Sequence, residues 1–111
     1  MQIEISTDNI IEGSENLTAH VKDVVASELS RFNTRITRVE VHMSDVNSGK
    51  SGEGDKRCMM EARLEGRPPM AVTSQETSLN HAIDGAAGKL KRLIESTLGR
   101  ESSLAGQRDL R

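Results

Sequence analysis

Two stretches, "RITRVEVHMSD" at residues 35–45 and "KRCMMEARLE" at residues 56–65, change from apolar to polar at nearly every position. Successive side chains of an extended chain point to opposite faces, so this period of two gives each stretch one apolar side and one wet side. Val39, Val41 and Met43 point one way in the first, and Arg38, Glu40, His42 and Ser44 the other. In the second, Cys58, Met60, Ala62 and Leu64 point inward, with Arg57, Met59, Glu61, Arg63 and Glu65 outward. A sheet built from such strands needs cover on one face only. Its outer face is read as a solvated surface of Arg38, Glu40, His42, Arg57, Glu61 and Arg63, with opposite charges facing one another across strands.

The rest of the chain supplies edges and cover. "QIEIS" at residues 2–6 alternates again, with Ile3 and Ile5 inward. "GSENLTAHVKDVVASELSRF" at residues 13–32 places Leu17, Val21, Val24, Val25 and Phe32 on one helical face, with Ser14 positioned as the cap. "NSGKSGEGD" at residues 47–55 has no period and reads as a polar hairpin connection. "GRPP" is a turn, because Gly66 supplies backbone freedom while Pro68 and Pro69 cannot continue a ladder, and "MAVTS" at 70–74 is a short fourth strand. The last helix runs from about Glu76 to Leu98 on a stripe of Leu79, Ile83, Ala86, Leu90, Leu93 and Ile94, with Gly99 as its stop. Residues 99–111 show no period and read as a flexible tail. The expected fold is an α+β, two-layer β-α-β-β-β-α sandwich: a four-stranded sheet with both helices on one face, in one domain over residues 1–98.

Composition fits a domain of this size and narrows its chemistry. The chain of 111 residues is 34% hydrophobic and has a single aromatic residue, Phe32, so its core is built from Val, Ile, Leu and five methionines. One cysteine, Cys58, excludes an intramolecular disulfide, and no run has the length of a membrane span or signal peptide, which points to the cytoplasm. His20, His42 and His81 sit on three different elements, out of metal-ligand spacing, and Cys58 on an inward strand position behaves as a small apolar residue. The Gly-rich connection lacks the G-x-x-x-x-G-K-[ST] pattern and does not precede a helix, although Lys50, Lys56 and Arg57 lie within reach of a polyanion. No metal, cofactor, small-molecule substrate or catalytic residue is expected, and the chain reads as a non-enzyme.

The charge is distributed unevenly: residues 1–34 hold six acids and two bases, residues 35–111 eleven acids and thirteen bases. Within the basic part, "HAIDGAAGKLKRL" at residues 81–93 stands out. At helical spacing Gly85, Gly88, Arg92 and His81 share the outward side, and Lys89 and Lys91 flank the apolar stripe. Two glycines in a helix cost roughly 1 kcal/mol each relative to alanine. Their outward placement is read as a shallow site where a phosphate backbone approaches closely, against the plainer reading of an amphipathic helix with flanking lysines.

"AIDG…KLKRLI", preceded by the β-α-β-β-β pattern that begins "MQIEIS" and contains "HV" in the first helix and "RFNTRITRVEVHMSD" into the second strand, resembles the ribosome hibernation promoting factor family. Its relatives include the ribosome-associated translation inhibitors, also called sigma-factor modulation proteins. The resemblance covers residues 1–98. It implies a fold like that of double-stranded RNA-binding domains, with two helices against a four-stranded sheet. It also implies binding to the small ribosomal subunit near the decoding centre, which inhibits translation and preserves idle ribosomes under stress or in stationary phase. The chain resembles the short type, without a C-terminal dimerisation domain, and is expected to be a monomer off the ribosome.

The resemblance carries RNA contacts onto basic residues on the outer faces of both helices. Lys89 and Arg92 stand at matching positions of the second, with Gly85 and Gly88 permitting approach. Lys91 is not a usual family position, and Ser96 stands where a lysine is common. The first helix departs further, with Ser27 and Ser30 in place of lysines and Asp23 beside them. Lys22, Arg31, Arg35 and Arg38 are the candidate substitutes. With one aromatic residue, such a surface reads phosphate and shape rather than bases. The alternative reading is a protein–protein regulatory module of the same fold with weak or lost ribosome affinity, for which the acidic first helix argues.

Overall fold

A computed structural model describes residues 1–8, 15–46 and 56–109, with side chains to residue 100. Six principal elements follow in the expected order: β1 (Gln2–Thr7), α1 (Glu15–Glu28), β2 (Ile36–Asp45), β3 (Lys56–Leu64), β4 (Met70–Glu76) and α2 (Leu79–Asp109), with one turn of 3-10 helix, Ser30–Phe32, after α1. The four strands form one mixed sheet in the order β1-β2-β3-β4. β1 pairs parallel with β2, which requires a crossover, and α1 provides it. β2, β3 and β4 pair antiparallel. The expected cap Ser14 and the connection at residues 47–55, with Lys50, lie outside the described residues.

The alternation read from the sequence sets which side of the sheet is dry. Val39, Val41, Met43, Cys58, Met60, Ala62 and Leu64 are all buried. Ile36 is buried too, although it stands three residues before Val39 and strict alternation would turn it outward. A bulge between Ile36 and Arg38 resolves this: Ile36 pairs with Leu64 while Arg38 pairs with Arg63, and Thr37 is the extra residue. Its hydroxyl donates to the Arg63 carbonyl at 2.9 Å, which pins the irregularity.

The helices close the core with residues of different size. α1 contributes Val21 and Val25, fully buried, and Leu29 and Phe32 follow at its end. α2 contributes Ala82, Ile83, Ala86, Ala87, Leu90 and Ile94. The alanines let α2 lie close against β3 and β4, and the two helices also touch each other. Gly66 has a φ of 78°, the left-handed conformation expected of the β3–β4 turn, where the Arg67 amide donates to the Leu64 carbonyl at 3.1 Å.

Two expectations need correction. α2 passes through Gly99 to Asp109, and Gly99 does not adopt the left-handed conformation of a helix stop. A glycine costs a helix about 1 kcal/mol but does not end it unless a favourable alternative is at hand. On the outer sheet face, it is like charges that stand directly opposite: Arg38 pairs with Arg63, Glu40 with Glu61 and with Glu4. The opposite charges meet along and diagonally across the strands instead. Glu40 reaches Arg38 and Arg63, each at 3.7 Å, while Arg38 also reaches Glu4 at 3.8 Å and Arg63 reaches Glu61 at 3.4 Å.

Candidate nucleic-acid interface

The sequence points to the outward side of α2, and the structure divides that helix into two chemically distinct flanks. Along the flank beside β4 lie His81, Lys89, Arg92 and Arg100, all exposed. Lys89 extends across the sheet edge, where its ammonium donates to the Thr73 carbonyl of β4 at 2.8 Å. That contact satisfies an outward backbone group of an edge strand and holds the lysine stem down. Arg92 lies along Gly88, with Nη1 3.5 Å from where a Cβ of residue 88 would stand. It makes no hydrogen bond or ion pair with a described residue. The flank starts at a capped helix end, where the His81 amide donates to Ser78 Oγ at 3.2 Å. Arg100 prolongs it, with Nη1 donating to Ser96 Oγ at 3.3 Å.

Gly85 is placed differently from the expectation. A Cβ there would stand 2.5 Å from Ser74 Oγ, so this glycine faces β4 and its small size serves helix–sheet packing. The outward reading counted only the apolar stripe of α2 as its buried side, whereas β4 also lies against the helix at Gly85. Of the two glycines, Gly88 is the one that leaves room beside the exposed Arg92.

The remaining candidates are dispersed. Lys91 turns to α1 and stands 3.9 Å from Glu28. Arg31 is tied to Glu95 at 2.9 Å and lies over the Phe32 ring, 5.5 Å from its centroid. Arg38 belongs to the opposite face of the sheet, inside the ion network with Glu4 and Glu40. Lys22 on α1 and Arg35 in the turn after it are exposed, and their side chains pair with no described residue. The structure therefore joins Lys89, Arg92 and Gly88 into one surface and adds Arg100. The sequence reading missed Arg100 because it ended the helix at Leu98; the signal was helical spacing, since eleven residues from Lys89 is close to three whole turns.

Between the two helices runs a groove of about 590 Å³ with a different character. α1 lines it with His20, Asp23, Val24, Ser27 and Glu28, and α2 with Asp84 and Lys91. Three carboxylates against one lysine make it acidic.

Burial pushes the Cys58 thiol up from 9.0 to about 12, so no thiolate is on offer near neutral pH. Among the described residues no three His, Cys, Asp or Glu side chains gather as a metal site. His42 instead shares a 2.6 Å hydrogen bond with Ser6 Oγ on the sheet's outer face. No helix among them is long and apolar enough to cross a membrane.

Fold and surface together define a class of protein: a small two-layer β-α-β-β-β-α domain with exposed cations along one flank of its last helix. The chain belongs to the Sigma 54 modulation protein / S30EA ribosomal protein family, which matches residues 3–101. Its fold is similar to that of the N-terminal domain of Protein Y from Thermus thermophilus, at 19% identity, over 87% of this chain and 99% of that one, with a TM-score of 0.71. It is similar also to a ribosomal subunit interface protein from Coxiella burnetii, at 13% identity, over 89% of this chain and 99% of that one, with a TM-score of 0.67. No curated protein sequence matches the chain. The expected family and fold are thus borne out, and the family is one of ribosome-associated proteins.

Proposed function

We propose that this chain binds the small ribosomal subunit near the decoding centre without catalysis, inhibiting translation and preserving idle ribosomes under stress or in stationary phase. The observation that carries the reading, beside the family, is the cationic flank of α2. Arg92 is exposed without a partner among the described residues, Lys89 lies on the same flank, and Gly88 beside Arg92 has no side chain to hold a phosphate away. Charge on a rigid helix binds phosphate with little further ordering cost, and a guanidinium can take two phosphate oxygens at once. Lys22 and Arg35 add exposed charge from the α1 side of the molecule. Lys91, Arg31 and Arg38 would first have to leave their carboxylates, so their contribution is smaller.

Co-sedimentation of the purified chain with small ribosomal subunits, at low and near-physiological salt, tests the reading. Binding that transfer RNA displaces, and that the Lys89→Glu/Arg92→Glu variant loses while remaining folded, is the expected result. Unchanged binding by that variant would remove the site, and no binding at low salt would remove the function.

A further inference from the structure

The acidic groove between α1 and α2 has no part in that reading, because its carboxylates repel the phosphates that the opposite flank of α2 attracts. Asp23 of α1 and Asp84 of α2 both line it, and neither makes a hydrogen bond or ion pair with a described residue. Glu28 meets Lys91 only at 3.9 Å, beyond hydrogen-bonding distance, so that charge is loosely held. The Nε2 atom of His20, which lines the same groove, is buried with no hydrogen-bond partner among the described residues. Half-buried Val24 adds an apolar patch to the lining.

These features fit one kind of occupant. A cationic side chain satisfies carboxylates from both helices at once, while its methylene stem lies on an apolar patch such as Val24. We propose that the α1–α2 groove docks an arginine- or lysine-bearing segment of a protein partner, with the cation seated between Asp23 and Asp84. Such docking leaves the β4 flank of α2 free, so a domain held on RNA through Lys89 and Arg92 still has this second face for a protein. The inference does not depend on ribosome binding.

The test uses a fluorescein-labelled peptide of alternating arginine and alanine, followed by fluorescence anisotropy at low salt against the intact chain. Two variants remove equal charge: Asp23→Asn/Asp84→Asn in the groove, and Glu65→Gln/Glu76→Gln on exposed positions elsewhere. Loss of about tenfold in affinity for the groove variant alone is expected from two exposed carboxylates, with the His20 and Val24 resonances of the wild type shifting on peptide addition. Equal losses in both variants would show diffuse attraction to net charge and overturn the site. So would the absence of binding, or an oligouridylate that shifts the same His20 and Val24 resonances.

Discussion

Gly85 and Gly88 stand three residues apart on one helix, yet an added methyl group has opposite consequences at the two. At 88 the new Cβ meets only the Arg92 guanidinium at 3.5 Å, an ordinary contact, so Gly88→Ala gains helix propensity and stabilises by up to about 1 kcal/mol. At 85 it meets Ser74 Oγ at 2.5 Å, and Ser74 is itself buried. Overpacking of this kind costs about 1–3 kcal/mol and outweighs the propensity gain, so Gly85→Ala lowers stability by about 1 kcal/mol net. Urea melts of the two variants, with Ser74→Ala/Gly85→Ala as the expected rescue, check the pair of signs. Cys58 supplies a second prediction at this scale. Its thiol, raised to about 12, stays neutral in the native protein over the range where the unfolded chain ionises, so stability falls as pH rises from 9.0 to about 12. Native protein at pH 8 is expected to resist iodoacetamide, and rapid labelling without unfolding would contradict the burial.

Among the elements, the outer face of the sheet has one carboxylate that bridges two opposed cations. Arg38 and Arg63 stand directly opposite each other, and Glu40 is the carboxylate that reaches both. Glu40→Gln removes the carboxylate shared by two opposed guanidiniums but also relieves its repulsion with Glu4 and Glu61, so the expected loss is about 0.5 kcal/mol, smaller at high salt because the side chains involved are part-exposed. Thermal melts at two salt concentrations read both the loss and its screening; a salt-independent loss would assign the effect to something other than charge. The strands were legible from alternation alone because each is wet on one side. The bulge at Thr37 left only a break in the pattern, two successive polar residues between Ile36 and Val39, and pairing with β3 shows which residue is extra. The extension of α2 past Gly99 was equally hidden: residues 99–109 carry no apolar stripe, so nothing in their pattern asks for a helix.

For the whole molecule, what matters is that its charges are sorted. The candidate RNA flank offers Lys89 and Arg92 with few auxiliary cations, and the neighbouring groove is acidic. Two phosphate contacts give a shallow salt dependence, a slope of log affinity on log salt of about −2, and Arg92→Ala is expected to make it shallower by about 1. Ribosome sedimentation across a salt series measures both; a slope that Arg92→Ala leaves unchanged would move the contact elsewhere. The site was only partly legible for the same reason. Helical spacing put Arg92 and Lys89 on the exposed side, but spacing knows nothing of neighbours. It could not show that β4 lies against Gly85, that Glu28 and Glu95 hold Lys91 and Arg31, or that Arg38 belongs to the far face of the sheet.

The sequence by itself determined the element types, their order and the dry side of each strand, because these follow from the period of apolar residues along a local stretch of chain. It also determined an aliphatic core, having a single phenylalanine and no other aromatic residue to build with. Only the tertiary structure decided which cations remain available and which carboxylates are left without them. Pairing of charges is settled by residues distant in the chain, such as Arg31 and Glu95 or Lys89 and the Thr73 carbonyl, and no local pattern encodes which of them will meet.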